Sequence, residues 1–422
     1  MPKPAVIDPP DMVSAEPATQ IHPKLLVFSS LFPHPLQPGG GLFIRERVFR
    51  VGQHLPVVVV SPQPWFPFQR VLRLFKPHFR PPAPRYEEQA GIAIFRPCFF
   101  SVPGLFKQWD GFFMALGSFF TLRRLKRDDR FQMIDAHFTY PDGYAATLLG
   151  HWFKVPVSVT MRGTEVPHSR IPALRRRLIK TFQRADRIFS VSSSLRQLAL
   201  GLGAAESKTQ VVGNGVDLDK FIPLDRREAR LKFGVPQRAK VLISVGALVG
   251  CKGFHRVIQV LPGLLAHFPD LHYLIVGGAS PEGNIETELR EQVVRLGLEN
   301  RVYFLGPLPL DELKWPLSAA DGFVLATRNE GSANVFLEAM ACGLPVVTTD
   351  VGGNAEVVCG PDIGTIVPYG DSLALEQALL SALERDWDRS AIRTHAMNNS
   401  WDNRVATLVE EFHGLAVKGA SP

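Results

Sequence analysis

Two glutamates eight positions apart, Glu330 and Glu338, stand in the run DGFVLATRNEGSANVFLEAMACGLPVVTTDVGGNAEVV over residues 321–358. An apolar, strand-like segment, Phe323 to Leu325, leads into the polar turn Arg328-Asn329-Glu330-Gly331-Ser332. Beyond the turn, from about Asn334, the spacing predicts a helix with Val335, Phe336, Ala339 and Met340 facing a sheet. In a doubly wound α/β unit this order brings both carboxylates to the crevice at the carboxyl edge of the strands. Carboxylates accept hydrogen bonds from sugar hydroxyls, and a helix N-terminus offers N–H groups to an anion. A ligand with both sugar hydroxyls and phosphate, a nucleotide-sugar, matches the two capacities.

The elements that must position these groups are legible as short aliphatic runs alternating with segments of helical length. One series comprises Leu25–Phe28, Val57–Val60, Ile92–Phe95, Met133–Asp135, Val157–Thr160, Arg187–Val191 and Thr209–Val212. A second comprises Val241–Val245, His272–Val276, Val302–Leu305, Gly322–Leu325, Val346–Thr348 and Thr365–Val367. The alternation predicts two tandem Rossmann-like domains, each a parallel sheet covered by helices, and 422 residues suffice for two cores. The Gly213-Asn214-Gly215-Val216-Asp217 loop marks the boundary, giving domains over 24–218 and 219–400. Residues 401–415 read as a helix with Val405, Leu408, Val409 and Phe412 on one face, returning to the first domain. Residues 1–23 read as a Pro-rich disordered tail and not an export signal; 416–422 form a second tail.

Charge divides along the same boundary. Residues 1–218 hold 28 Lys+Arg against 15 Asp+Glu, whereas the remainder holds 19 against 25. No zinc-finger spacing, RNP-like pattern or basic zipper accompanies the basic half, so nucleic acid is not the expected partner. The four cysteines are scattered, with no metal spacing and no disulfide framework, which fits a reducing cytosol. No apolar run reaches the length of a bilayer-spanning helix. Over residues 64–130, aromatic rings including Trp65, Phe68, Phe100, Trp109, Phe112 and Phe120 interleave with Arg70, Arg73, Arg80, Arg123, Arg124, Lys126 and Arg127. That mixture suits the headgroup layer of an anionic membrane, the alternative being that the rings fill the domain core.

The 321–358 run, with its Glu-x7-Glu spacing followed by Ala-Met-Ala-Cys-Gly-Leu-Pro-Val-Val, resembles the signature of retaining GT-B glycosyltransferases, specifically family 4 (group 1). The resemblance implies that Glu338 binds the ribose hydroxyls and Glu330 contacts the donor sugar. Gly331, Ser332, Asn334 and Val335 fall in the same donor-binding segment. Ser244 to Gly253 resembles the family's phosphate loop, in which Gly246 admits the diphosphate and Lys252 stabilises the departing nucleotide. Here Ala247 stands where the family's loop carries an arginine, and Arg162, after the strand Val157–Thr160, is the candidate replacement. An ion pair of Arg162 with Glu165 is the bland alternative. The glycine cluster ending in Gly40 and Gly41 resembles the family's N-terminal loop near donor phosphates and acceptor, and His137 resembles the histidine that touches the donor sugar. The nucleotide base is expected against backbone around Leu308.

The resulting expectation is a two-domain GT-B enzyme whose sheets face a cleft. It moves a hexosyl unit from a nucleotide-diphosphate sugar, with retention, to a glycan or polyprenyl-linked acceptor in cell-surface polysaccharide synthesis. Neither cofactor nor metal is required, and the protein is placed in the cytoplasm, peripheral to the inner face of the membrane. A catalytically weak nucleotide-sugar-binding protein and a GT-B epimerase are the competing readings.

Overall fold

A computed structural model of the protein describes residues 22–37, 39–75, 79–280, 283–330 and 334–420. The expected N-terminal tail lies almost wholly outside these residues. In chain order the strands are β1 Leu25–Phe28, β2 Val57–Val60, β3 Gln63–Trp65, β4 Tyr86–Gln89, β5 Ile92–Phe95, β6 Cys98–Phe100, β7 Met133–His137 and β8 Val157–Met161. They continue with β9 Arg187–Ser190, β10 Thr209–Val211, β11 Lys240–Val245, β12 Leu271–Val276, β13 Val302–Gly306, β14 Gly322–Leu325, β15 Val346–Thr349 and β16 Gly364–Val367.

One sheet has the order β10-β9-β8-β7-β1-β2-β5-β4 and the other β13-β12-β11-β14-β15-β16, with β3 and β6 forming a separate pair. Every pairing is parallel except β4 on β5. The central strands are aliphatic on both faces because helices cover both faces. Val58, Val59 and Val60, and Val241, Leu242 and Ile243, are buried. Each such side chain contributes roughly 1.5–3 kcal/mol by leaving water. A charge at Val59 or Ile243 would therefore break its sheet.

Strand order reverses between β1 and β7 in the first sheet and between β11 and β14 in the second. At such a reversal the loops diverge to opposite faces and leave a crevice beyond the carboxyl ends. The loops flanking these crevices carry the sequence motifs: residues 29–37 and 39–41 after β1, 138–143 after β7, 246–253 after β11 and 326–330 after β14.

The chain crosses between the halves twice, and the crossings are clasped together. The Val216 amide donates to the Asn399 carbonyl at 3.1 Å, and the Trp401 amide to the Val216 carbonyl at 3.2 Å. The helix Trp401–Ala420 then returns to the first half. Its Val405, Leu408, Phe412 and Leu415 join a core with Ile44, Val48 and Phe189, and Glu411 pairs with Arg187 at 2.6 Å. Arg50 to Asp217, at 2.6 Å, and Lys220 to Glu46, at 3.3 Å, hold the helix Leu42–Val51 against the linker.

The aromatic stretch 64–130 is divided between core and surface. Phe99 is buried, and Phe119 stacks on Phe153 with ring centroids 5.3 Å apart. Trp65, Phe68, Phe100, Phe106, Trp109, Phe112 and Phe120 are exposed. On the helix Asp110–Arg127, Met114, Ala115, Leu122 and Leu125 face inward. Phe112, Leu116 and Phe120, at i, i+4 and i+8, form an exposed ridge that leads to Arg123, Arg124 and Arg127.

Candidate functional site

The second sheet's crevice brings Lys252 and Glu330 together. Lys252 lies in a single 3-10 turn, Gly250–Lys252, and its Nζ donates to Glu330 Oε1 at 2.5 Å. Thr327 Oγ1 lies 3.2 Å from the same oxygen and donates to the Cys251 carbonyl at 3.0 Å, while the Arg328 amide donates to that carbonyl at 2.7 Å. The turn after β14 is thus sewn to the loop after β11.

This close seam requires glycine at two places. Gly253 has φ +79°, and a Cβ there would stand 1.9 Å from the Ala326 carbonyl oxygen. Gly352 has φ +56°, and its Cβ would meet the Glu330 carbonyl oxygen at 1.7 Å. Only glycine combines a left-handed backbone with so close an approach. Gly246 lies under the aliphatic stem of Lys252 and donates its amide to the Val276 carbonyl at 2.9 Å. The Gly277 amide in turn donates to the Gly306 carbonyl at 3.0 Å, and Gly278 faces Pro307. These backbone contacts line the ends of β11, β12 and β13 up to Leu308, which packs on the core edge.

Glu338 stands on the helix Asn334–Ala341, between the buried residues Leu337 and Ala339. Its carboxylate makes no hydrogen bond or ion pair with any described residue, and burial, with the negative field of Glu46 second, pushes its pKa up to about 7. A carboxylate held without a partner in a partly dry crevice is suited to accept hydrogen bonds from a ligand. Val335 packs against the same core. Gly331 and Ser332 lie outside the described residues.

The first sheet supplies the facing wall. Gly41 caps the helix Leu42–Val51 with φ +79°, and a Cβ there would meet the Leu31 carbonyl at 2.7 Å; Gly40 donates to the Gln37 carbonyl at 3.2 Å. Arg162 does not pair its guanidinium with Glu165, which instead accepts from the Arg162 and Gly163 amides. Its Nη1 donates to Asn214 Oδ1 at 3.0 Å, its Nε to His137 Nδ1 at 3.0 Å, and it lies over the Phe43 ring. Burial, then repulsion by Arg47, lowers its pKa. None of these bonds reaches the loop at Ala247.

His137 departs further from expectation. It is fully buried at the end of β7, with Nδ1 taken by Arg162 and Nε2 3.4 Å from Asp135, which Arg47 also approaches. Burial, with Arg162 second, pushes its pKa down to about 3. The ring orients Arg162 and is not open to a sugar.

Three features escaped sequence reasoning. Asn214 Nδ2 donates to Asn334 Oδ1 at 2.7 Å, so the linker grips the start of the Glu338 helix. Glu356, in the second half, accepts from the Ser193 and Ser194 amides at 2.6 and 3.1 Å. Arg328 is an exposed cation beside the Lys252 turn, and its side chain has no partner among the described residues. Arg328, Asn334 and Glu356 all stand in the 321–358 run, but the partners of Asn334 and Glu356 lie far away in sequence.

Two family models match almost end to end: glycosyltransferase family 4 over residues 56–220 and glycosyl transferases group 1 over residues 225–399. The chain is a GT-B glycosyltransferase of family 4 type. Among its relatives is TuaC of Bacillus subtilis, named for teichuronic acid biosynthesis, which is 28% identical over 78% of this chain and 82% of its own length. A D-inositol 3-phosphate glycosyltransferase of Corynebacterium urealyticum is 34% identical over 54% of this chain, a match spanning about half of that relative's length. The same fold recurs in sucrose-phosphate synthase of Thermosynechococcus elongatus, with a TM-score of 0.73 at 18% identity over 94% of this chain and all of that one. It recurs also in HepE of Anabaena, solved with UDP bound, with a TM-score of 0.70 at 19% identity over 93% of this chain and all of that one.

Proposed function

We propose that this glycosyltransferase takes its sugar from a nucleotide-diphosphate donor and transfers a hexosyl unit, with retention, to a lipid-linked glycan acceptor. The observation that carries the donor reading is the unpartnered Glu338 carboxylate, on the helix that follows the turn holding the Lys252–Glu330 pair at the strand reversal of the second sheet. Glu338 accepts from the ribose hydroxyls, the backbone near Leu308 borders the base, and Gly246 admits the diphosphate.

Lys252 leaves Glu330 for the diphosphate, and Arg328 supplies the second positive charge that Ala247 does not. This role passes from Arg162, which is engaged with His137 and Asn214. Freed from Lys252, Glu330 turns to the sugar. As the bond from C1 to the phosphate oxygen breaks, an acceptor hydroxyl bonds to C1 from the same face and its proton passes to the departing phosphate. Two cations aimed at the growing charge favour the transition state over the bound donor, and no metal ion is required.

Similarity to TuaC supports a cell-surface polysaccharide as the destination. The exposed ridge Phe112, Leu116 and Phe120 with its terminal arginines supports a peripheral seat on the cytoplasmic membrane face. Among the described residues no helix is long and apolar enough to cross a membrane. A thermal-shift screen of nucleotide-sugars tests the donor reading, because a ligand that binds only the folded state raises the melting temperature by mass action. One base is expected to raise it; a flat response to the whole panel contradicts the reading.

A further inference from the structure

The short helix Asn354–Val357 follows β15 and is tied to the turn that carries Glu330. Asn354 is fully buried, and its Nδ2 donates to the Thr349 carbonyl at 3.0 Å and to Thr348 Oγ1 at 3.2 Å. Those threonines donate in turn to β14 and the residues after it. Thr348 Oγ1 bonds the Leu325 carbonyl at 2.8 Å, and Thr349 Oγ1 bonds the Thr327 carbonyl at 2.5 Å. Gly352 closes the same corner by lying against the Glu330 carbonyl. The short helix and the Glu330 turn are thus joined as one piece.

Glu356 reaches from this piece to the first half. Its Oε2 accepts from the Ser193 amide at 2.6 Å and its Oε1 from the Ser194 amide at 3.1 Å. Both amides belong to the first turn of the helix Ser193–Gly201, which follows β9. A helix leaves its first N–H groups without internal partners, and the capping residue Ser192 takes only that of Leu195, at 3.4 Å. The first turn holds no acidic residue of its own. The negative charge that a helix N-terminus favours therefore comes from the other half of the molecule.

The place of this contact sets it apart. The other bonds described between the halves run through the linker, as in Val216 with Asn399 and Asn214 with Asn334, or through the helix Trp401–Ala420. Glu356 instead joins a helix of the second sheet to a helix of the first, with no share in either crossing. The carboxylate and both serines are exposed, so water and salt compete for the contact and it is reversible. A crevice that must admit and release ligands needs a clasp of that kind.

We infer that Glu356 is an interdomain latch: by capping the helix Ser193–Gly201 it holds the two halves closed and keeps the Glu330 turn facing the first sheet. The inference rests on the two-domain fold and goes beyond the donor reading, in which this contact has no part.

Small-angle X-ray scattering of the full chain, free of nucleotide, reads the latch directly. The wild-type curve is expected to match the structure. Glu356→Ala, at an exposed position, is expected to show a larger radius of gyration and maximum dimension with an unchanged circular dichroism spectrum. Ser193→Pro removes one of the two N–H donors and leaves the helix intact, because proline suits the first helical position and Ser192 before it is extended, at φ −153° and ψ 158°. It is expected to open the molecule in part, and the double variant no further than Glu356→Ala alone, since both changes act through one contact. Equal scattering from wild type and Glu356→Ala overturns the inference. A double variant that opens by the sum of the two single changes also overturns it, since the two sites would then act independently. Absence of UDP and GDP binding to wild type by calorimetry contradicts the donor reading instead and leaves the scattering result standing.

Discussion

Glu338 has its pKa raised in the free protein because its crevice is partly dry and Glu46 lies near, and that shift makes its assignment testable without a substrate. Between its ordinary value of 4.5 and about 7 the folded state holds a proton that the unfolded state has released. The folded state is therefore disfavoured as pH rises through this window, and Glu338→Gln should be more stable than wild type at pH 8, with the gain fading as pH falls from about 7 to 4.5 and absent below that. Melting temperatures of both proteins across this range check it; a gain that is independent of pH would contradict the shift. Hydrogen bonds from ribose need the ionised carboxylate, so nucleotide affinity should also fall as pH drops below about 7. Lys252→Ala should lower kcat more than it raises KM for the donor, because charge on the diphosphate grows toward the transition state. Arg328→Ala should do likewise if it replaces the missing arginine. Arg162→Ala should instead loosen Asn214 and Asn334 and act mainly on affinity. Steady-state kinetics separate the two patterns, and a kcat defect confined to Arg162→Ala would restore the original assignment.

At the scale of the elements, the site depends on a seam between the turn after β14 and the loop after β11. Gly253→Ala forces a Cβ to 1.9 Å from the Ala326 carbonyl at a left-handed backbone, so the seam must open. A loss of about 2 kcal/mol or more is expected, read as a fall in the urea midpoint of the second half together with loss of nucleotide binding. The parallel strands were legible because burial on both faces leaves near-continuous aliphatic runs, as in Val57–Val60 and Leu271–Val276. The three strands that went unseen lack that signal. Gln63–Trp65 and Cys98–Phe100 are three residues each and pair only with one another, while Tyr86–Gln89 is a polar edge strand. The Glu330 and Glu338 spacing was visible because both lie in one continuous segment. The Asn214 grip on Asn334 and the need for glycine at 352 arise from approaches between segments far apart in sequence, which no local pattern encodes. His137 was correctly placed at a strand end, but its burial depends on Arg47 arriving from the helix Leu42–Val51 and Arg162 from the end of β8, with Asp135 on its own strand.

For the whole molecule, the division of charge between the halves gives each a separate surface role. The basic first half carries the aromatic ridge, and the acidic second half carries the donor crevice. A basic residue at an anionic bilayer contributes about 1 kcal/mol, screened by salt, so replacing Arg123, Arg124 and Arg127 with Ser should weaken vesicle binding about a hundredfold. Sedimentation with phosphatidylglycerol vesicles checks it; wild type left in the supernatant at low salt would remove the membrane seat. Lys126 is best left in place, since it bonds the Phe131 carbonyl and lies over that ring. The two halves meet through the Asn214–Asn334 hydrogen bond, and the field of Glu46 in the first reaches Glu338 in the second, so a nucleotide bound there should report on the entire arrangement. Calorimetric titration of the full chain with UDP and with GDP, in wild type and Glu338→Ala, is the most direct measurement. One nucleotide should bind one to one, and the substitution should weaken it by about 1.5–3 kcal/mol, roughly ten- to a hundredfold, because two ribose donors lose their acceptor. Heat from neither nucleotide, or the same dissociation constant in both proteins, would contradict a nucleotide-sugar held by Glu338.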